Sequence, residues 1–349
     1  MEQEIRYCTT SDGIKIAYAT VGSGPAIVRT LGWLTHLELE WEWETTRSFW
    51  ENVAAHHQLV RYDGRGIGLS DPWDEAFTPE TRLGDLEAVV DALQLDALAL
   101  LGLSEGGQTA VRYAVAHPEL VTHLLVFGSM VRFGSERGLS ARAREEQQAM
   151  LTLVRTGWGR DTPQFRQLFT TLFMPTATPE QIGRFNEIQR QSARPETAAR
   201  MLDAVYQSDI GSEAERVTAP TLVMHRRDDQ ICRFAWGRRL AASIPGARFL
   251  PLEGDNHFLG TDPGQDAAVV AAVHSFLGDT PTLAATGAGH QTTSAGFRTI
   301  LFTDVENSTD LVVQHGDAKY RELLADHERL VREVLAEHDG NEIKTIGDS

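Results

Sequence analysis

Cysteine is nearly absent: the 349 residues include only Cys8 and Cys232, far apart in the chain. Two such residues give neither a disulfide framework nor a zinc-binding pattern, and they fit a reducing, cytoplasmic compartment. Basic charge is in deficit too, with 32 Lys and Arg against 49 Asp and Glu and a formal net charge of −17. That balance argues against nucleic acid or an anionic membrane as partner, and solubility alone accounts for it. No apolar run approaches the ~18 residues of a membrane span. Met1-Glu2-Gln3-Glu4 lacks the basic and apolar regions of a secretory signal. What is left has the composition of a globular protein, 42% hydrophobic and 23% charged, long enough for two or three domains or one large one.

Short apolar runs over residues 14–19, 26–30, 59–62, 98–101 and 124–127 read as strands. Between them, residues 82–93 carry Leu83, Leu86, Val89, Val90 and Leu93 on one helical face. Such alternation implies a mostly parallel sheet covered by helices on both faces. It stops over residues 135–215, rich in Arg, Gln and Glu with helical spacing, which reads as a helical cap spanning about 132–215. Within it Phe165, Phe169 and Phe173 recur every four residues, as helix packing or as the wall of an apolar pocket. Alternation resumes with strands over 220–224 and 247–252 and helices over 233–243 and 265–277. Residues 279–296, rich in Gly, Ala, Thr and Ser, read as a flexible linker. A new segment, 297–349, follows with two strands around a long charged helix.

The chemistry centres on Gly102-Leu103-Ser104-Glu105-Gly106-Gly107, which follows the run at 98–101 and precedes a helical stretch over 108–117. A serine on a tight strand-to-helix bend is pushed out of the sheet, and flanking glycines let the two elements approach. Ser104 is therefore the candidate nucleophile. A serine hydroxyl needs a base, and the base an orienting acid. The late strand at 220–224 runs into His225-Arg226-Arg227-Asp228-Asp229, and the last one into Glu253-Gly254-Asp255-Asn256-His257. The order Ser, Asp, His suits a parallel-sheet hydrolase. His257 is then the base, with Asp228 or Asp229 behind it. An oxyanion needs two backbone donors. The residue after the nucleophile, Glu105, supplies one, and Trp33 in Leu31-Gly32-Trp33-Leu34 is the best candidate for the other.

Residues 1–278 resemble an α/β-hydrolase of the esterase and haloperoxidase-like kind. Arg61-Tyr62-Asp63-Gly64-Arg65-Gly66-Ile67-Gly68-Leu69-Ser70-Asp71 is similar to that family's Asp-x-Arg-Gly-x-Gly-x-Ser segment, which is structural. His225 to Ile231 resembles its acid loop, with the carboxylate four residues after the histidine, and so favours Asp229. Gly254-Asp255-Asn256-His257-Phe258 resembles its histidine loop. Two departures stand out. The oxyanion loop has Leu31-Gly32 where the family often has His-Gly, and the nucleophile is followed by Glu105 where Met or Gln is common. A carboxylate there disfavours an oxyanion if it turns inward and is harmless if it turns outward.

Phe302-Thr303-Asp304-Val305-Glu306-Asn307-Ser308-Thr309 and Ile343-Lys344-Thr345-Ile346-Gly347-Asp348-Ser349 resemble two halves of the class III adenylate/guanylate cyclase motif. The resemblance implies that Asp304 and Asp348, with the Val305 carbonyl, would hold two Mg²⁺ ions, and that Lys344 would read a purine. It covers the start of such a domain, so no cyclic-nucleotide synthesis is expected, and a homodimer is implied only by the complete domain.

The expected fold is α/β, an α/β-hydrolase with a helical cap and a truncated α+β cyclase segment. The expected activity is carboxylic ester hydrolysis through an acyl-Ser104 intermediate, on a small-molecule ester and without a cofactor. The alternative is a small-ligand sensor for the fused cyclase, with little or no turnover. Perhydrolase or cofactor-free haloperoxidase side activity would use the same residues.

Overall fold

The computed structural model describes residues 1–133 and 140–279, together with position 329. The chain divides into two compact units, Met1–Thr282 and Leu283–Ser349, and the elements below belong to the first. The expected linker past residue 279 and the cyclase-like positions Asp304, Val305, Lys344 and Asp348 lie outside the described residues.

Strands β1 (Glu4–Thr9), β2 (Lys15–Gly22), β3 (Ala26–Thr30), β4 (Gln58–Tyr62), β5 (Leu98–Leu103), β6 (Val121–Phe127), β7 (Thr221–Arg226) and β8 (Arg248–Leu252) form one sheet in the order β1-β2-β4-β3-β5-β6-β7-β8. The pairs β1/β2 and β2/β4 are antiparallel, and the remaining neighbours are parallel. Every residue of β5 and of β7 is buried, as strands covered on both faces must be. Alternation along the strands sends Val28, Leu100, Val126 and Val223 to one face. There they meet Leu86 and Val89 of α3 (Pro79–Leu93), Ala110 of α4 (Gly106–Ala116) and Leu240 of α10 (Phe234–Ser243). Ile27, Leu101, Leu125 and Met224 pack on the other face against Trp50 of α2 (Glu44–Val53) and Val269 of α11 (Pro263–Leu277).

Helix boundaries follow local chemistry. Thr78 and Thr81 form a reciprocal capping box at the start of α3, with Pro79 in its first turn. Asp262 caps α11, which ends at Gly278 in a left-handed conformation. Between β6 and β7 the described residues add no further strand to the sheet. They form α5 (Ala141–Gly157), α6 (Gln164–Phe173), α7 (Pro179–Ser192), α8 (Pro195–Gln207) and the short α9 (Gly211–Ala214). Trp158, Phe169, Phe173, Phe185 and Met201 of this helical group share a buried cluster with Trp33 and Leu34. Strand β1 and helices α1 (Leu37–Glu42) and α2 have no counterpart in the sequence reading. The segment from Arg61 to Asp71 is a polar knot. The fully buried Asp63 carboxylate accepts from Thr35 Oγ1 (2.7 Å) and from the N–H groups of Leu37 (3.1 Å) and Leu69 (3.0 Å). Gly68 has φ 54, and a Cβ on it would fall 2.1 Å from Asp63 Oδ2, so glycine is required there.

Asp63 thus ties the segment after the Trp33 loop to the chain beyond β4. Asp63→Ala leaves three donors without their acceptor in a buried site. It is expected to lower stability by about 3 kcal/mol or more, measured as a shift of the urea unfolding midpoint at unchanged m-value; a loss under about 1 kcal/mol would show that the knot does not hold the loop.

Candidate active site

Ser104 sits between β5 and α4 with φ 52, a left-handed backbone for a residue with a side chain. The surroundings hold it there. Its N–H donates to Phe127 O (2.9 Å), and its carbonyl accepts from Gly107 N–H (3.1 Å). A Cβ on Gly102 would lie 2.6 Å from Gly107 Cα, one on Gly106 1.9 Å from Leu31 O, and one on Gly107 2.5 Å from Ser129 Oγ. Strand, helix and the loop after β3 therefore meet at distances that only glycine allows. Thr30 Oγ1 donates to Gly106 O at 2.7 Å, which fixes the end of β3 against the start of α4. Gly32 then passes beside Ser104, its Cβ position 3.9 Å from Ser104 Cβ.

Asp229 lies in the loop after β7 and His257 in the loop after β8. His257 Nδ1 is 2.6 Å from Asp229 Oδ2, and both residues are buried. The second oxygen, Oδ1, accepts from the N–H groups of Ile231 and Cys232, each at 2.8 Å. Burial alone would raise the Asp229 carboxyl, but the imidazole and the Cys232 N–H hold it below the ordinary range. The ionised carboxylate accepts the Nδ1 proton, which leaves a lone pair on Nε2. Nε2 is buried and without a protein partner among the described residues. Asp228 is exposed, so of the two acids only Asp229 meets His257. Gly128, φ 59, passes beneath the ring, its Cβ position 3.0 Å from His257 Cε1.

Ser104 and His257 line one cavity with Arg29, Gly32, Trp33, Leu34, Thr35, Trp50, Leu103, Phe173, Phe258 and Leu259. Its free room is about 30 Å³, above the ~10–15 Å³ that one ordered water needs. Of the three phenylalanines on α6, Phe173 reaches the cavity. Phe169 stacks on Trp33 with centroids 6.2 Å apart, and Phe165 lies against Gly157 and under Arg160. The backbone N–H groups of Trp33 and Glu105 have no acceptor among the described residues. The Glu105 side chain turns away from the cavity to Arg82 on α3, Oε1 to Nη1 2.8 Å. Burial raises its pKa and Arg82 opposes the rise.

Sequence reasoning missed the groups that support these loops. Arg226, fully buried at the end of β7, donates to the Asn256 carbonyl and, at 2.6 Å, to Asp266 Oδ1. Asp266 Oδ2 accepts from Gly260 (2.8 Å), Thr261 (3.1 Å) and Asp262 (3.2 Å) N–H groups. The two side chains grip the His257 loop on either side. His225 does the same for the acid loop, with Nε2 2.6 Å from Cys232 O. Partners 40 residues apart in sequence leave no periodic trace, although the charged Arg226 ending an apolar strand was a visible signal.

The family model described as serine aminopeptidase, S33, matches residues 47–257, more than half of the chain. The chain belongs to this α/β-hydrolase family. The adenylate and guanylate cyclase catalytic domain matches residues 291–349. A superfamily protein of Bacillus subtilis, YisY, is 25% identical over 257 residues, 72% of this chain and 91% of that protein. The non-heme chloroperoxidase CPO-A1 of Kitasatospora aureofaciens is 26% identical over 268 residues, 74% and 94% of the two chains. Among solved structures, an esterase from Exiguobacterium antarcticum superposes with TM-score 0.66 at 23% identity, covering 76% of this chain and 98% of that one. An enol-lactonase from Burkholderia xenovorans LB400 gives 0.65 at 23% identity, covering 78% and 100%. These superpositions establish the fold alone. In the described part of the hydrolase, no helix is long and apolar enough to cross a membrane.

With its carboxylate on Arg82, Glu105 puts no charge into the cavity. Glu105→Gln is expected to change kcat/KM for an aryl ester by less than about threefold and to lower stability by about 1–3 kcal/mol, since Arg82 loses an ionic partner; a tenfold change in rate with stability intact would place the carboxylate at the reaction.

Proposed function

We propose that this hydrolase is a serine esterase of the carboxylesterase type, acting on small acyl esters through an acyl-Ser104 intermediate. One observation carries the reading. His257 presents a buried, unpartnered Nε2 to the cavity that Ser104 lines, with its other nitrogen on Asp229. In this reading Ser104 Oγ attacks the ester carbonyl and its proton passes to His257 Nε2. Asp229 stabilises the imidazolium, and the N–H groups of Trp33 and Glu105 receive the oxyanion. The C–O bond to the alcohol then breaks, and Nε2 returns the proton to the leaving oxygen. A water molecule repeats the sequence on the acyl-enzyme, losing its proton to Nε2 and releasing the acid and Ser104. Helices α5–α9 act as the cap over this site.

The family description names aminopeptidases, and the cavity lining favours esters over peptides with a free amino terminus. A free α-ammonium needs a carboxylate near the scissile bond. The lining holds no acidic residue, and its Arg29 is paired with the buried Glu40 at 2.6 Å, which suits an uncharged acyl group. The cyclase match favours a second reading, in which the hydrolase unit senses a small acyl ligand with little turnover. Active-site titration with an activated aryl ester distinguishes the two readings.

Ser104→Ala is expected to lower kcat by about 10³-fold or more, and Asp229→Asn by about 10⁴-fold through loss of the required tautomer. Stopped-flow measurement on p-nitrophenyl acetate checks both. A burst of one equivalent followed by turnover supports the esterase, ligand binding without acylation the sensor, and undiminished rates in Ser104→Ala remove this site from the reaction.

The small free room beside Ser104 sets an acyl preference. In a p-nitrophenyl ester series, kcat/KM is expected to fall from acetate to octanoate by at least about tenfold; a rising series would mean that the cap admits long chains.

A further inference from the structure

At the opposite edge of the sheet from Ser104, three ligating side chains converge. His57 lies just before β4, His274 in the last turn of α11, and Asp279 directly beyond that helix. His57 Nε2 is 2.7 Å and His274 Nδ1 2.6 Å from the same oxygen, Asp279 Oδ2, and all three ligand atoms lie within 4.8 Å of one another. His57 is buried and the other two half-buried.

The far side of each ring decides what the near side offers. His57 Nδ1 faces the Pro25 carbonyl at 3.2 Å, and His274 Nε2 the Asn52 carbonyl at 2.9 Å. A carbonyl only accepts, so each of these nitrogens carries the proton of its neutral ring. The nitrogens turned toward Asp279 are then lone-pair atoms, pressed against a carboxylate oxygen that also only accepts. The two neutral rings supply no proton to either contact. A divalent cation satisfies all three atoms at once. It takes the two lone pairs and the carboxylate, while each remote N–H keeps its carbonyl, the outer-shell arrangement that metal-bound histidines adopt.

We infer that His57, His274 and Asp279 form a binding site for a divalent transition metal of the zinc type, with water completing the coordination. Two imidazoles and one carboxylate suit zinc or cobalt rather than magnesium or calcium, which prefer all-oxygen sets. Ligand atoms around tetrahedral zinc stand about 3.3 Å apart, given bonds of about 2.0–2.1 Å, so the contacts of 2.6 and 2.7 Å open by about 0.6 Å as the metal enters. The bound metal pins Asp279, where the chain leaves its last helix, to the turn before β4. The site stands apart from the serine chemistry and does not depend on it.

The test is a Co²⁺ titration of the full chain, followed by the visible bands of four- or five-coordinate cobalt and repeated by calorimetry with Zn²⁺. Asp304→Ala and Asp348→Ala are introduced first, so that the cyclase-like carboxylates do not contribute. One equivalent is expected to bind. His274→Ala and Asp279→Asn each weaken it by about tenfold to a hundredfold or more, while p-nitrophenyl acetate hydrolysis and circular dichroism stay unchanged. Asp279→Asn keeps the shape of the site and serves if His274→Ala folds poorly. Equal affinity in both variants, or no bands at millimolar cobalt, would overturn the assignment and leave the cluster as charged histidines on a shared carboxylate.

Discussion

Everything on the carboxyl edge of this sheet depends on one backbone angle, the left-handed φ of Ser104. A residue with a side chain costs about 1–3 kcal/mol in such a region, and the cost is met by crowding. Gly102, Gly106 and Gly107 let β5, α4 and the loop after β3 close to distances at which no Cβ fits. Once they have closed, the serine cannot relax without driving α4 into the Leu31 carbonyl or the Ser129 side chain. The same contact carries the Trp33 loop to Ser104, so the proposed nucleophile and the proposed oxyanion donors are placed by a single packing event.

Around that turn, each loop rests on a buried polar group that makes no contact with the cavity. Asp63 holds the chain that follows Trp33, Arg226 and Asp266 hold the His257 loop, and His225 holds the turn after Asp229. Such groups are expensive to bury alone and are held here by short bonds to the loops, with Arg226 Nε and His225 Nδ1 left without a partner among the described residues. Their geometry is therefore stiff, and stiffness is what electrostatic stabilisation of a short-lived oxyanion needs. Trp33 and Phe173 line the cavity and Phe169 stacks behind Trp33, while the polar groups hold the loops.

Much of this was legible in the sequence because it is local. The bend at Ser104, the order Ser-Asp-His, and the strands β3, β5 and β7 come from glycine spacing and continuous apolar runs. Strand β1, Glu4–Thr9, escaped because it is an edge strand with no buried residue to set a pattern. Helix α2 buries Thr46, Phe49, Trp50 and Val53 at helical spacing, a pattern present in the sequence and passed over, whereas α1 is only six residues long and too short to show one. The direction of Glu105 was undecided because its partner Arg82 lies 23 residues earlier on another helix, a distance bridged only by folding. The same holds for Arg226 with Asp266, and for His57 with an aspartate 222 residues on. The adenylate and guanylate cyclase match over residues 291–349 agrees with two motif halves that are each a run of adjacent residues, and for that reason the sequence showed it.

The ion pair between Arg82 and Glu105 reaches beyond the chemistry. Its members are 14% and 6% exposed, so a change at one strands a charge that water cannot reach, whereas a change at both leaves an ordinary apolar contact between α3 and α4. The two positions are therefore one energetic unit, and the side chain beside Ser104 answers to a helix rather than to the cavity.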